Sequence, residues 1–232
     1  MTKNINKSNE TLVDMVCSNI RKDIIAQVLK PGEKINIKEL AYRYGSSETP
    51  IKLALNRLLS EKLIENFPRK GMRIKSLNED EAMEIFDFRL MMDLYYVDEI
   101  TETVRSNLQI QKAFQENLDE HYQLMMESED TADVDQYLKN YELDSNFHKL
   151  YLRCSGNKQL VELYQNINPF IYINHIFTKQ SHKRNLEGVE EHKLIYQALV
   201  DGKADVVRQH ITTHIKRAIH SIKMILKIDS MF

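Results

Sequence analysis

The chain has 232 residues, of which 42% are hydrophobic and 28% charged, with only six glycines and four prolines. This composition is ordinary for a globular protein and favours helices. No run approaches the roughly 18 apolar residues of a membrane span, and the polar N-terminus MTKNINKSNE lacks the apolar core of a secretory signal. Cys17 and Cys154 lie far apart without a CxxC spacing, which predicts two buried thiols in a cytoplasmic protein.

The net charge of −2 combines two regions of opposite sign. Residues 1–75 contain 15 Lys and Arg against 8 Asp and Glu, a net charge of +7, and the rest of the chain has a net charge of −9. Such asymmetry suggests a basic module joined to an acidic one. The asymmetry alone is weak evidence, because a charge excess is usually just a solvated face.

Residues 1–75 show the element order of a winged helix-turn-helix domain. Apolar residues recur at helical spacing, and Pro31-Gly32 and Gly45 end the first two helices. Ser46-Ser47 can cap the third helix, and Pro50 suits its first turn. Two extended segments around a basic turn then predict a hairpin. The predicted elements are helices over 11–29, 37–44 and 48–62, then strands over 63–67 and 72–74.

A recognition helix places its N-terminal residues against base edges in the major groove. The candidates here are Ser47, Glu48, Thr49 and Lys52. Thr49 and Lys52 suit phosphate or base contacts, whereas Arg57 can instead brace the domain. The hairpin can reach flanking phosphates or the minor groove through Arg69, Lys70, Gly71 and Arg73. The alternative is a similar scaffold that binds protein, or a plain small helical domain, and the ordered set of elements favours DNA.

Residues 76–80, SLNED, form a polar linker between the winged helix-turn-helix over 1–75 and a second domain over 81–232. The second domain shows helical periodicity without strand alternation or repeats, so a helical bundle is predicted. The fold class is therefore mainly α, with an N-terminal winged helix-turn-helix followed by an all-helical bundle. The predicted helices cover residues 79–103, 107–127, 131–154, 157–178, 186–201 and 203–228.

Four residues of the second domain have the chemistry of metal ligands. Asp144 and His148, four residues apart, share one helix face and can bind one ion, although a surface ion pair is the usual alternative. His192 and His214 fall within the apolar stripes of their helices, and an inward polar residue needs a partner. The residues alone leave two alternatives open, namely a shared metal site or separate core histidines satisfied by hydrogen bonds.

The run from Val28 to Ile74 resembles the DNA-binding domain of the GntR family of bacterial transcription regulators. The family pattern is L-x-P-G-x-x-L, then E-L-A, S-R-T-P-V-R-E-A-L-x-R-L and R-G. The matching residues are Leu29, Pro31, Gly32, Glu39, Leu40, Ala41, Ser47, Thr49, Pro50, Ala54, Leu55, Arg57, Leu58 and Gly71. In that family two arginines contact DNA, and their positions are occupied here by Glu48 and Lys52. Lys52 keeps the charge without the bidentate fork, and Glu48 can accept a hydrogen bond from cytosine, which implies a divergent operator.

The C-terminal region resembles the FCD ligand-binding domain of the FadR-like GntR branch. Residues 88–93 resemble its R-x-x-x-E opening, with Asp93 in place of Glu, and residues 144–157 resemble D-x-x-F-H followed by S-G-N. Residues 191–214 resemble its E-H-x-x-I-x-x-A ending with a final histidine. In that family the matching residues bind a divalent metal, and here they are Asp144, His148, His192 and His214. Their donors suit zinc first, and also nickel, manganese or iron, and leave positions for water or a carboxylate.

The resemblance implies a homodimeric regulator that is not an enzyme, whose affinity for an operator is controlled by a small organic acid bound near the metal. Arg89 is the candidate for the carboxylate of this effector, and a salt bridge with Asp93 is the alternative. Asn157 is a second effector-binding candidate, with a helix cap as its alternative role. The competing functions are a metal-dependent enzyme and a direct metal sensor. An enzyme needs a general base near the metal, and Glu191 is expected to point off the ligand face.

Overall fold

In the computed structural model the chain divides into two compact units, residues 1–76 and 77–232. Both units are built around their own apolar core, and the described residues are mostly helical, as the mainly α prediction stated. No helix in the described parts of the chain is both long and apolar enough to cross a membrane. The structure describes residues 11–76, 78–127, 133–167, 176–177 and 179–229.

The described residues of the N-terminal unit form three helices and a two-stranded hairpin, in the predicted order. Thr11 caps the first helix. Its side-chain oxygen accepts a hydrogen bond from the backbone N–H of Asp14, and the Asp14 carboxylate accepts one from the backbone N–H of Thr11. The strands pair antiparallel with Ile64 opposite Ile74. The elements are α1 (Leu12–Ile25), α2 (Ile37–Arg43), α3 (Glu48–Ser60), β1 (Ile64–Phe67) and β2 (Gly71–Ile74).

The core of this unit is apolar. Helices α1 and α3 pack against each other through residues that are fully buried, among them Val16, Ile20, Ile51, Leu55 and Leu58. Burying each such aliphatic side chain stabilises the fold by about 1.5–3 kcal/mol. The Cys17 thiol lies in the same core, where it donates to the backbone oxygen of Ala54 at 3.6 Å.

The C-terminal unit is a helical bundle. Its described helices are α4 (Glu79–Tyr95), α5 (Val97–Ser106), α6 (Leu108–Glu127), α7 (Val134–Arg153), α8 (Lys158–Asn166), α9 (His182–Val200) and α10 (Ala204–Asp229). Helix α9 packs against α5, α6 and α10, and α10 also packs against α4 and α5. Side chains of Asn78, Asp133, Asn157 and Ser181 cap α4, α7, α8 and α9. The second free cysteine, Cys154, is buried at the end of α7.

Three predicted helices differ from the structure. The helix predicted over 79–103 is interrupted at Tyr96, where φ is −105° and ψ is 23°, and no glycine or proline marks the break. Helix α9 begins at His182 instead of residue 186, because Ser181 caps it. Helix α8 ends at Asn166, short of the predicted end at residue 178. Residues 131–132, 168–175 and 178 of the predicted helices lie outside the described residues.

Candidate metal centre and DNA-binding surface

The four predicted metal ligands come from three helices and meet at one point. Helix α7 supplies Asp144 and His148 on successive turns of one face, α9 supplies His192, and α10 supplies His214. One potential ligand atom of each residue lies within 4.8 Å of those of the other three. The three histidines are buried, and the Asp144 side chain is 18% exposed. One carboxylate and three imidazoles are a donor set that binds zinc and related divalent ions.

His192 makes no hydrogen bond to the part of the chain that the structure describes. Its ring is completely buried and stacks on Phe147 with the centroids 4.1 Å apart. Neither ring nitrogen makes a hydrogen bond to the described residues, and Nε2 lies 3.5 Å from Asp144 Oδ1. Burial, with the neighbouring His214 and His148, holds the pKa of His192 well below its usual value, so the ring is neutral. A neutral imidazole with unused nitrogens suits a metal ligand and does not fit a core histidine satisfied by hydrogen bonds.

His214 is oriented by a buried carboxylate. Its Nδ1 donates to Glu191 Oε2 at 2.7 Å, which leaves Nε2 for the cluster. Glu191 also accepts two hydrogen bonds from Arg184 at 3.1 Å and one from Arg217 at 2.9 Å. Although burial alone would raise it, the hydrogen bonds from His214 and Arg217 and the charge of Arg184 lower the pKa of Glu191 to about 2. The expectation that Glu191 points away from the ligands is therefore wrong.

His148 lies between two buried charged residues of α4. Arg89 Nη2 donates to His148 Nε2 at 3.0 Å, and Asp93 Oδ2 is 3.7 Å from His148 Nδ1. Arg89 and Asp93 are each 1% exposed. Burial raises the pKa of Asp93 to about 7, against the opposing effect of Arg89. Neither carboxylate oxygen of Asp93 accepts a hydrogen bond from the described residues, so the alternative of an Arg89–Asp93 salt bridge is not formed among them.

A small cavity of about 50 Å³ adjoins the cluster. This volume is enough for a few water molecules or a small carboxylate group. His121, which the sequence analysis missed, is 2% exposed and its Nε2 donates to Asn140 Oδ1 at 2.8 Å. Its position in an apolar stripe with Leu118 and Met125 could have identified it as inward. The polar lining of the cavity includes Arg89, His121, Asn140, Asp144, Arg184 and His214.

The structure places Asn157 at a helix cap and not in this cavity. Its side-chain oxygen accepts hydrogen bonds from the backbone of Gln159 and Leu160 at 3.1 and 3.3 Å. Its amide donates to the Tyr96 hydroxyl at 3.0 Å. Both ends of the side chain are therefore used within the fold, which is the cap alternative given above, and its predicted contact with an effector has no geometric support.

The start of α3 presents the predicted recognition residues. Ser47 is the N-cap residue, although its side chain makes no capping hydrogen bond, and Thr49 is exposed. Lys52 Nζ lies 3.0 Å from Glu48 Oε2, one turn away. The acid that replaces a family arginine therefore pairs with the lysine that replaces the other. Because this pair is exposed, it breaks at small cost when a phosphate competes for the lysine.

The hairpin turn presents two of its three basic residues to solvent. Arg69 and Lys70 are exposed at the turn, with φ of +63° at Arg69 and +86° at Gly71. Arg73 is half-buried and donates to the backbone oxygen of Gly32 at 2.9 Å, so it ties the hairpin to the loop after α1. Arg57 pairs with Asp14 at 2.6 Å and braces α3 against α1. Arg69 and Lys70 are thus better placed than Arg73 for contact with DNA.

The chain combines a winged helix-turn-helix with an all-helical unit that contains a buried cluster of one aspartate and three histidines. Residues 12–74 match the gntR family of bacterial regulatory proteins, and residues 84–217 match the FCD domain. The chain therefore belongs to the GntR family of DNA-binding transcription regulators and has an FCD domain.

Relatives along almost the whole chain are also regulators. The HTH-type transcriptional regulator YdhC of Bacillus subtilis is 25% identical over 209 residues, which cover 90% of this chain and 89% of YdhC. The Nta operon transcriptional regulator of Aminobacter aminovorans is 28% identical over 200 residues, covering 85% and 88%. The solved structure of E. coli McbR/YncC has a TM-score of 0.69 at 20% identity, covering 92% of this chain and 98% of that one, which shows the same fold.

Proposed function

We propose that this regulator is a cytoplasmic homodimer whose C-terminal domain binds a divalent metal ion through Asp144, His148, His192 and His214. The observation that supports the metal most strongly is His192, because neither nitrogen of this completely buried ring has a hydrogen-bond partner among the described residues. A buried polar group without a partner costs about 1–3 kcal/mol, and a metal bond to Nε2 offsets that cost. Zinc is our first choice, and nickel, manganese and iron accept the same donors.

The effector is proposed to be a small organic acid bound in the cavity beside the cluster. A divalent ion supplies positive charge and free coordination positions to which a carboxylate can bind. Arg89 lines the same cavity and offers a guanidinium that pairs well with a carboxylate. The cavity is small and several polar side chains line it, which favours a short acid over a fatty acyl chain. Asn157, whose side chain caps α8, is left out of this site.

DNA binding is proposed to use one winged helix from each protomer on a two-fold operator. Thr49 and Lys52 on α3 are assigned to the major groove, and Arg69 and Lys70 on the hairpin are assigned to phosphates. The effector controls operator affinity only if it binds the DNA-competent and DNA-incompetent states with different affinities. Whether it releases or strengthens DNA binding follows from which state it prefers.

A metal-dependent enzyme is the weaker alternative. Glu191, which contacts the proposed ligand His214, accepts four hydrogen bonds. A carboxylate used in this way is a poor general base. The relatives are transcription regulators, which also favours a regulator without catalysis.

The metal content of the purified protein tests this proposal. Elemental mass spectrometry should find about one divalent ion per chain in wild-type protein prepared without chelator or a histidine tag. The ion should be lost in His214→Ala and retained in His220→Ala, a matched change of an exposed histidine on the same helix. A wild-type chain that neither contains metal nor takes up added metal would overturn the proposal.

A DNA-binding measurement separates the effector-controlled regulator from the direct metal sensor. DNA fragments selected by the protein from a random pool serve as probes in fluorescence anisotropy. A metal-loaded chain whose DNA affinity changes on addition of small carboxylates supports effector control. A chain whose affinity changes only on chelation, with no response to carboxylates, is a metal sensor.

A further inference from the structure

Arg89 makes an unusual contact for a candidate carboxylate receptor. It is the largest of the completely buried side chains in the described chain, and its Nη2 lies 3.0 Å from Nε2 of His148, one of the proposed metal ligands. Its guanidinium carbon lies 5.7 Å from the centre of the Phe86 ring. Since a guanidinium only donates hydrogen bonds, His148 Nε2 must be the acceptor.

This hydrogen bond fixes the tautomer of His148. An imidazole that accepts at Nε2 has its lone pair there and its proton on Nδ1. Nδ1 faces Asp93 Oδ2 at 3.7 Å, and Asp93 is 1% exposed. His214 is oriented in a similar way but more tightly, because its Nδ1 donates a hydrogen bond to the buried Glu191 at 2.7 Å. Both histidines therefore turn Nδ1 toward a buried carboxylate, which leaves Nε2 as the nitrogen able to bind a cation.

A ring nitrogen has a single lone pair, so His148 Nε2 cannot accept a hydrogen bond from Arg89 and bind a metal ion at once. We propose that Arg89 competes with the metal ion for His148 Nε2, and that metal binding requires Arg89 to leave this histidine. The inference rests on the proposed metal site and adds a residue that opposes its occupation. The positive charge of Arg89 acts in the same direction, because it repels a cation at the cluster.

The neighbourhood of Arg89 offers two places for the released guanidinium. Arg89 lines the cavity together with Asp144 and His214, where an effector carboxylate would lie. Asp93, one helical turn further along α4, has two carboxylate oxygens that accept no hydrogen bond from the described residues. Metal and carboxylate then favour each other, since an acid that holds Arg89 away from His148 leaves Nε2 free for the metal. By linkage, each tightens the binding of the other by the same factor.

The test is the metal affinity of Arg89 variants. Wild type, Arg89→Gln and Arg89→Lys are stripped of metal and titrated with zinc against a fluorescent chelator, as full-length protein whose fold is checked by circular dichroism. Arg89→Gln removes the charge and should bind zinc at least about tenfold more tightly, because a charge-assisted hydrogen bond no longer has to be broken. Arg89→Lys retains a cation and should stay closer to wild type. If Arg89 only stabilises the fold around the site, its substitution should weaken zinc binding instead.

Two results would overturn the inference, and they have different consequences. If wild type binds zinc and loses it in His214→Ala, but Arg89→Gln binds zinc no more tightly than wild type, Arg89 does not compete and the proposed metal site stands. If wild type binds no zinc, or binds it equally well in His214→Ala, the proposed metal site fails as well. Arg89→Met keeps the apolar stem without a donor and takes the place of Arg89→Gln if the latter does not fold.

Discussion

The two units place their polar residues in opposite ways. The core of the N-terminal unit is apolar, and its ion pairs, such as Lys52–Glu48 and Arg57–Asp14, lie at the surface. The buried polar residues of the described chain all belong to the C-terminal unit. They are Arg89, Asp93, Thr101, His121, Asn140, His148, Glu191, His192 and His214. The N-terminal unit therefore keeps its interior apolar and its charged residues at the surface, whereas the site proposed for the C-terminal unit lies in its interior.

This difference has an energetic consequence. Apolar burial stabilises a fold by roughly 25 cal/mol per Å², whereas a buried polar group without a partner destabilises it. The interior of the C-terminal unit is therefore expected to be less stable without its ligand than its helical packing suggests. Four experiments test this contrast, beginning with the one expected to have the largest effect.

Truncation of the N-terminal core should be the most damaging. Leu55 on α3 is completely buried in the apolar core, and Leu55→Ala should lower the free energy of unfolding of that unit by about 2–5 kcal/mol. DNA binding should be lost while the metal content stays at the wild-type value, as measured by denaturation, anisotropy and elemental analysis. Leu53 on the same helix is 52% exposed, and Leu53→Ala is the control, with a change within about 0.5 kcal/mol. Loss of metal in Leu55→Ala would contradict the separation of the two units.

The same substitution at two histidines should have opposite effects in the metal-free chain. His192→Phe replaces a ring without hydrogen bonds that is stacked on Phe147, and should raise the free energy of unfolding by about 1–2 kcal/mol. His214→Phe removes the partner of the buried Glu191 and should lower it by about 1–3 kcal/mol. Urea denaturation in chelator measures both. If both substitutions change the free energy of unfolding in the same direction, His192 is not a source of instability.

The pH dependence of stability should identify the buried neutral histidine. Burial, with the charges of His214 and His148, lowers the pKa of His192 on folding from the ordinary 6.5. His192 therefore takes up a proton more readily in the unfolded chain than in the folded one. The free energy of unfolding keeps its full value above about pH 6.5 and falls as the pH is lowered.

The variant His192→Phe isolates this effect. Between about pH 6.5 and 5, the free energy of unfolding of metal-free wild type should fall more steeply than that of the variant, by about 1.4 kcal/mol per pH unit. Above pH 7 the two curves should run parallel, which provides an internal control. Parallel curves throughout the acidic range would show that His192 takes up its proton in the folded state.

The smallest effect should come from the surface of the N-terminal unit. If Lys52 contacts a phosphate, Lys52→Ala should reduce the slope of log K against log salt by about 0.9. Lys62 is exposed beyond the end of α3, and Lys62→Ala should leave the slope unchanged. Anisotropy titrations over a range of salt concentrations measure both slopes. An unchanged slope in Lys52→Ala would show that this lysine makes no phosphate contact.

The sequence allowed the element order of the N-terminal unit to be predicted, because periodicity and turn residues are local properties. The proposed ligands Asp144, His148, His192 and His214 followed from a family resemblance, since distant residues on three helices share no local pattern. Glu191 shows the limit of local reasoning. It precedes His192 by one residue and therefore points about 100° away around the helix, but α10 packs on that side and brings His214 to it.

Tertiary contacts also decide the roles of Arg73 and Arg89. Arg73 belongs to a basic turn in the sequence, yet the approach of the loop after α1 gives its guanidinium the oxygen of Gly32. Arg89 was expected to face an effector or Asp93, and the packing of α4 brings it to His148. In each case the residue type is evident from the sequence, while the partner depends on which element lies opposite.

The two cysteines provide each unit with a reporter of its own opening. Cys17 is buried in the N-terminal unit and Cys154 in the C-terminal unit. Burial raises the pKa of both thiols, that of Cys154 to about 11, so the reactive thiolate is scarce at neutral pH. A thiol-reactive dye should therefore label each cysteine at the rate at which its own unit unfolds locally. Mass spectrometry of the labelled peptides would then follow how metal or DNA protects one half of the native chain separately from the other.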